Sequence, residues 1–157
     1  MTERHCHECG AVQMEEPKHN RSTPQLRRFY AIIRAAYLNW PEQPPSGFRP
    51  QNEEHLRRWL EMRAGLFTVT KQARITSTDP DKLYALMSEF FKHSKDTTLF
   101  NELDGNLLIQ KQVKSIAYEA IKESAEFSRL KDAICEIIEI EVGVAAEKLL
   151  RESEKAA

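Results

Sequence analysis

Six apolar residues near the start of this chain constrain its fold more than any other feature. Leu26, Phe29, Tyr30, Ile33, Tyr37 and Trp40 recur at helical spacing. Thr23 is a helix-capping residue type and Pro24 suits a first helical position. Pro41 disfavours helix in the residue before it and ends the run. The spacing therefore predicts one amphipathic helix with an apolar stripe that must be covered. Arg27 and Arg34, seven residues apart with Arg28 beside them, fall on another face.

The rest of the chain supplies the cover. Pro44, Pro45, Gly47 and Pro50 mark a loop. A second helix is predicted from about Asn52, with Glu53 and Glu54 in its favourable first turn. Leu56, Trp59 and Leu60 face inward, Arg57, Arg58 and Arg63 outward, and Gly65 closes the helix. Leu66 to Thr76 alternates and is rich in Thr, Val and Ile, so it reads as a strand. Asp79-Pro80 starts a third helix carried by Leu83, Leu86, Met87, Phe90 and Phe91. Residues 95–103 fit no pattern. Asp104-Gly105 is a turn, and Asn106 to Val113 reads as a second strand. Tyr118 to Glu123 is a short helical piece. From Ser124, a long helix buries Phe127, Leu130, Ile134, Ile137, Ile138 and Val142, breaks at Gly143, and is followed by a last, polar helix. The expected class is mainly α with a small β element, an α+β domain holding one short antiparallel hairpin or sheet. The strands are confined to the regions near 66–76 and 106–113. Residues 1–20 are expected to form a flexible arm and residues 21–157 a single domain.

At 157 residues the chain can bury a core without staples. No apolar run approaches the ~20 residues of a membrane span, and the first residues lack the apolar segment of a secretory signal. The odd cysteine count (Cys6, Cys9 and Cys135) suits a reducing compartment. A cytoplasmic protein without membrane contact is expected.

Cys6-His7-Glu8-Cys9-Gly10 resembles one knuckle of a zinc ribbon. Four ligands are needed, so His19 with His5 or His7 would complete a site. The alternative is a reduced arm that binds nothing. No other cofactor is indicated. Cys135 sits on an apolar stripe, His55 and His93 are single, and no nucleophile–base pair or phosphate loop occurs. A metal nuclease would need a carboxylate cluster that the sequence does not assemble. The chain reads as a binding protein, not an enzyme.

Charge is unevenly spread. Residues 18–63 hold nine basic residues against four acids, a balance of +5. From Glu119 onward ten acids face six bases, a balance of −4. A basic half suits an anionic partner. Arg27, Arg28, Arg34, Arg57 and Arg58 could form one phosphate-tracking face if the first two helices pair as a hairpin. Tyr30, Tyr37, Trp40 and Trp59 could stack bases if exposed. Three of them lie on the apolar stripe, which favours core packing.

Arg21-Ser22-Thr23-Pro24-Gln25-Leu26-Arg27-Arg28 resembles the opening motif of the NinB (Orf) family of phage recombination proteins. Leu108 to Ile116 is similar to that family's strand before its final helix, and Phe127 to Val144 to the helix itself. The likeness covers residues 21–65 and 107–150. It departs in the cysteine-containing arm, which stands in place of amino-terminal strands, and in an inserted helix over Asp81 to His93. The resemblance implies a dimeric, non-catalytic phage or prophage mediator. Such a protein binds single-stranded DNA and works with a single-strand binding protein to load a recombinase. Arg21, Gln25, Arg27, Arg28, Lys114 and Ser115 are the positions it points to. Gln25 has an equally good local role, capping or bonding a neighbouring loop. The competing expectation is a protein–protein adaptor without nucleic-acid contact, which the acidic amphipathic C-terminal helices favour.

Overall fold

The computed structural model describes residues 23–92, 95–114 and 124–156. Among them are five helices and a three-stranded antiparallel sheet, an α+β fold. In chain order they are α1 (Thr23–Leu38), α2 (Glu53–Arg63), β1 (Phe67–Arg74), α3 (Pro80–Phe91), β2 (Leu99–Asp104), β3 (Leu107–Val113), α4 (Ser124–Val142) and α5 (Ala146–Ala156).

Helix boundaries follow local chemistry. The Asn52 side chain accepts from the His55 N–H at 2.8 Å and caps α2. Replacing Asn52 with Ala is expected to cost about 1 kcal/mol, measured as a shift in urea midpoint without a change in slope. At the other end Gly65 takes φ +103°. Its N–H donates to Met62 O at 3.0 Å and the Leu66 N–H donates to Glu61 O at 2.9 Å. These two bonds close the last turn and aim the chain into β1. The Asp79 carboxylate caps α3 through the Asp81 N–H, with Pro80 in the first turn.

One hydrophobic cluster joins the helices to the sheet. Phe29, Ile32, Ile33, Ala35 and Ala36 of α1 meet Leu56, Trp59, Leu60 and Met62 of α2. Phe127, Leu130, Ile134 and Ile138 of α4 complete it, with Ala146, Leu149 and Leu150 of α5 and Phe100 of β2. The last helix is therefore not simply polar. It lays an apolar face on α1 and leaves its charges outside. Of the predicted α4 stripe, Ile137 and Val142 are only half-buried. The loop after α1 is pinned by the Ser46 N–H, which donates to the buried Glu141 carboxylate at 3.0 Å.

The sheet order is β1-β3-β2. The expectation of strands near 66–76 and 106–113 alone is corrected by β2, which pairs with β3 from Leu99↔Gln112 to Asp104↔Leu107. Its polarity does not alternate because Asn101 points at the end of α3 and donates to Phe90 O at 3.4 Å. Gln110, directly opposite, donates to the same carbonyl at 3.1 Å and to Asn101 Oδ1 at 3.2 Å. The Thr70 hydroxyl, at a bulge in β1, donates to Gln110 Oε1 at 3.0 Å. This polar clip, with Phe90 and Lys71–Glu89, holds α3 on one face of the sheet. Phe67, Phe100 and Val113 turn the other face to the helical core. The helical reading of Tyr118 to Glu123 lies outside the described residues.

Candidate nucleic-acid interface

Helical spacing carries Arg27 and Arg34 off the apolar stripe of α1, and both are exposed. Tyr30 stands between them, 41% exposed, so it is not the core residue its position on the stripe suggests. The ring is held by edge contact with Phe29 at 5.5 Å and by the Arg57 guanidinium, 5.8 Å from its centroid. Arg57 reaches this position from α2, which packs on α1. Trp59 is buried, with Phe48 stacked on it at 4.4 Å and Trp40 edge-on at 5.9 Å. Tyr37 is half-buried against the same core. Three of the four aromatics are therefore structural.

The arginines do not form a bare cationic face. Arg34 Nη1 lies 3.4 Å from Glu53. Arg57 pairs with Glu61 at 3.1 Å and Glu54 at 3.6 Å. Arg58 pairs with Glu54 and donates to the Thr97 hydroxyl. Arg57 and Arg58, expected to point outward, are half-buried, because their stems lie along the helix and their heads reach these acids. Arg28 turns away to pair with Glu147 of α5. Arg27 has no ion-pair partner among the described residues. The structure thus groups Arg34, Arg57 and Arg58 around Glu53 and Glu54 beside Tyr30. Tyr30, Ile33, Glu53, Glu54 and Arg57 line a groove of about 290 Å³ there.

Lys114 is exposed at the far end of α2. It lines a separate cleft of about 290 Å³ with Gly65, Leu66, Glu126, Arg129 and Leu130. Gln25 is half-buried and engaged in an interaction of its own. Arg21 and Ser115, and the metal candidates Cys6, Cys9 and His19, lie outside the described residues. Among the described residues no helix is long and apolar enough to cross a membrane.

Two titratable groups near α2 are displaced. Burial lowers the His55 pKa, helped by Arg58. The imidazole stacks on Phe100, and its Nδ1 accepts from the Gln51 N–H at 3.0 Å. Glu61 is fully enclosed, and burial pushes its carboxyl up to about 7 against the opposing pull of Arg57 and Arg58. Sequence reasoning missed Glu61, although Arg57 and Glu61 stand at the i,i+4 spacing of a helical ion pair. Cys135 is half-buried, and burial raises its thiol, as suits an unreactive cysteine.

Comparison with protein-family models, with curated proteins and with solved structures finds no match to this chain.

Proposed function

We propose that the chain is a non-catalytic binding protein for single-stranded DNA, acting in phage-type recombination. The observation that carries this reading is the exposed row Arg27–Tyr30–Arg34 on α1, extended by Arg57 over the Tyr30 ring. Positions i, i+3 and i+7 share one helix face. Two cations flanking an aromatic match a strand's alternation of phosphate and base. The resemblance to the NinB (Orf) family supports the recombination setting, a dimeric state, and a single-strand binding protein or recombinase as partner.

The acids on this face do not block the role. Exposed ion pairs contribute on the order of 0–1 kcal/mol, so a phosphate can replace Glu53 or Glu54 at little cost. Each phosphate so held releases counterions, and the contacts position the strand without reading its sequence. Replacing Arg27 and Arg34 together with Gln is expected to lower the salt slope of single-strand binding by about 1.4, at roughly 0.7 per phosphate contact. The fold should survive, because neither side chain is buried. Fluorescence anisotropy on labelled oligonucleotides over a salt series measures this, and unchanged affinity in the double variant defeats the reading.

One observation favours the adaptor reading instead. Tyr84, Met87 and Phe91 form an exposed apolar row on α3, the pattern by which amphipathic helices dock on partner proteins. The same titration separates the two, since an adaptor binds no oligonucleotide even at low salt.

A further inference from the structure

Glu61 is the most unusual charged group among the described residues. Its side chain is wholly enclosed on α2. One carboxylate oxygen accepts from Arg57 Nη1 at 3.1 Å, while Oε1 has no hydrogen-bond partner among the described residues. Arg57 itself is mostly buried. It lines the α1–α2 groove and stands over Tyr30. A buried carboxylate satisfied on one oxygen only is a poor place to keep a negative charge.

We propose that Glu61 is a proton-operated latch on Arg57: ionised it occupies a guanidinium N–H, and protonated it frees that donor for an anion held on the Tyr30 face. The choice of anion rests on the single-stranded DNA reading above. The latch rests on the geometry of the pair. Its position near charge balance makes one proton matter. Arg34, Arg57 and Arg58 meet Glu53, Glu54 and Glu61, a formal balance of zero that becomes +1 when Glu61 is neutral. Burial already brings the carboxyl to about 7, within reach of ordinary pH changes.

The charged surroundings are few. On α2 itself Arg57 and Arg58 act on Glu61, and Glu54 reaches it through Arg57. From α1, Arg34 is directed to Glu53. From β3, Lys111 lies over Phe67 and is paired with Glu102 at 2.6 Å, while Lys114, just past β3, and Glu126 and Arg129 of α4 line the cleft at the C-terminal end of α2. His55, with its lowered pKa beside Arg58, also titrates as pH falls. Its contribution persists in a Glu61→Gln variant, so the difference between wild type and variant isolates Glu61.

Two measurements on the full chain test the latch. The first follows the Glu61 carboxyl carbon and the Arg57 Nε–H by NMR from pH 5 to pH 9. Both are expected to move together with a midpoint near 7. A Glu61 midpoint in the ordinary carboxylate range, or an Arg57 signal that does not follow, overturns the latch. The second measures single-stranded oligonucleotide affinity at pH 6 and pH 8 at fixed ionic strength. Wild type should tighten roughly tenfold on acidification, the scale of one charge-assisted contact. Glu61→Gln should bind about tenfold more tightly than wild type at pH 8 and match it at pH 6, where both carry a neutral side chain at position 61. Binding by wild type with the same pH response as Glu61→Gln overturns the latch and leaves the DNA reading standing. No binding by either protein at either pH overturns the DNA reading, and the NMR titration alone then decides the latch. Should Glu61→Gln not fold, Arg57→Gln replaces it. That change should raise the Glu61 midpoint further and remove the Glu61-linked part of the affinity change. An unmoved midpoint overturns the pairing on which the latch depends.

Discussion

Replacing Phe127 with Ala is expected to destabilise the fold by about 3–5 kcal/mol, the cost of a large cavity in a core that cannot collapse around it. Phe127 is fully buried in α4 and meets Phe29, also fully buried in α1, at a ring-centroid distance of 5.3 Å and an interplanar angle of 61°. The edge-to-face contact adds to the area buried. Phe29 in turn supports Tyr30 at 5.5 Å, so the cavity would open beneath the candidate interface. Urea unfolding of wild type and variant measures the loss. A change under 1 kcal/mol would mean that these helices are not joined through this pair.

Glu61 should make the protein less stable as pH rises from about 4.5 to about 7, the reverse of a salt-bridged surface carboxylate. Below about 4.5 the group is neutral both folded and unfolded, and it carries no penalty. Between 4.5 and about 7 the unfolded chain gives up the proton while the folded chain keeps it. The unfolded state then binds fewer protons, so stability falls with pH. Above about 7 both states are ionised and the penalty is complete. At 1.36 kcal/mol per pH unit the full effect is about 3 kcal/mol. That figure is what remains after the opposing pull of Arg57 and Arg58. Glu61→Gln should remove this fall, so the stability difference between wild type and variant changes by that amount across the window. Parallel pH profiles for the two proteins would show that Glu61 ionises at its ordinary value in the fold.

These two expectations differ in how visible their causes are in the sequence. Phe29 and Phe127 declare themselves through helical spacing, and each helix that carries them has an apolar stripe needing cover. The same holds for the ends of α2, where Asn52 supplies a cap oxygen and Gly65 the positive φ that a side chain resists. It holds also for Asp79-Pro80 at the start of α3 and for Gly143, which ends α4 at φ +85°. In each case the deciding interaction lies within a few residues along the chain. Hydrogen bonds and backbone sterics over such distances are written in neighbouring letters.

What only the tertiary structure decided involves partners far apart in sequence. Strand β2 has no alternation of its own and exists because β3 pairs with it and because Asn101 finds the end of α3. Tyr30 lies on the α1 stripe yet at its edge, and α2 delivers Arg57 to it without covering it. The +5 balance of residues 18–63 is a true count, but it does not say where each charge is spent. Arg28 meets Glu147 across 119 positions, and Arg34 meets Glu53 across 19. Glu61 reads in sequence as one more solvated acid on a charged helix. It is buried on α2, against which α1, α4 and β3 all pack, and that burial shifts its ionisation. Local rules place a charge on a helix face. Whether that face meets water, a counter-ion or the core depends on which distant element packs there.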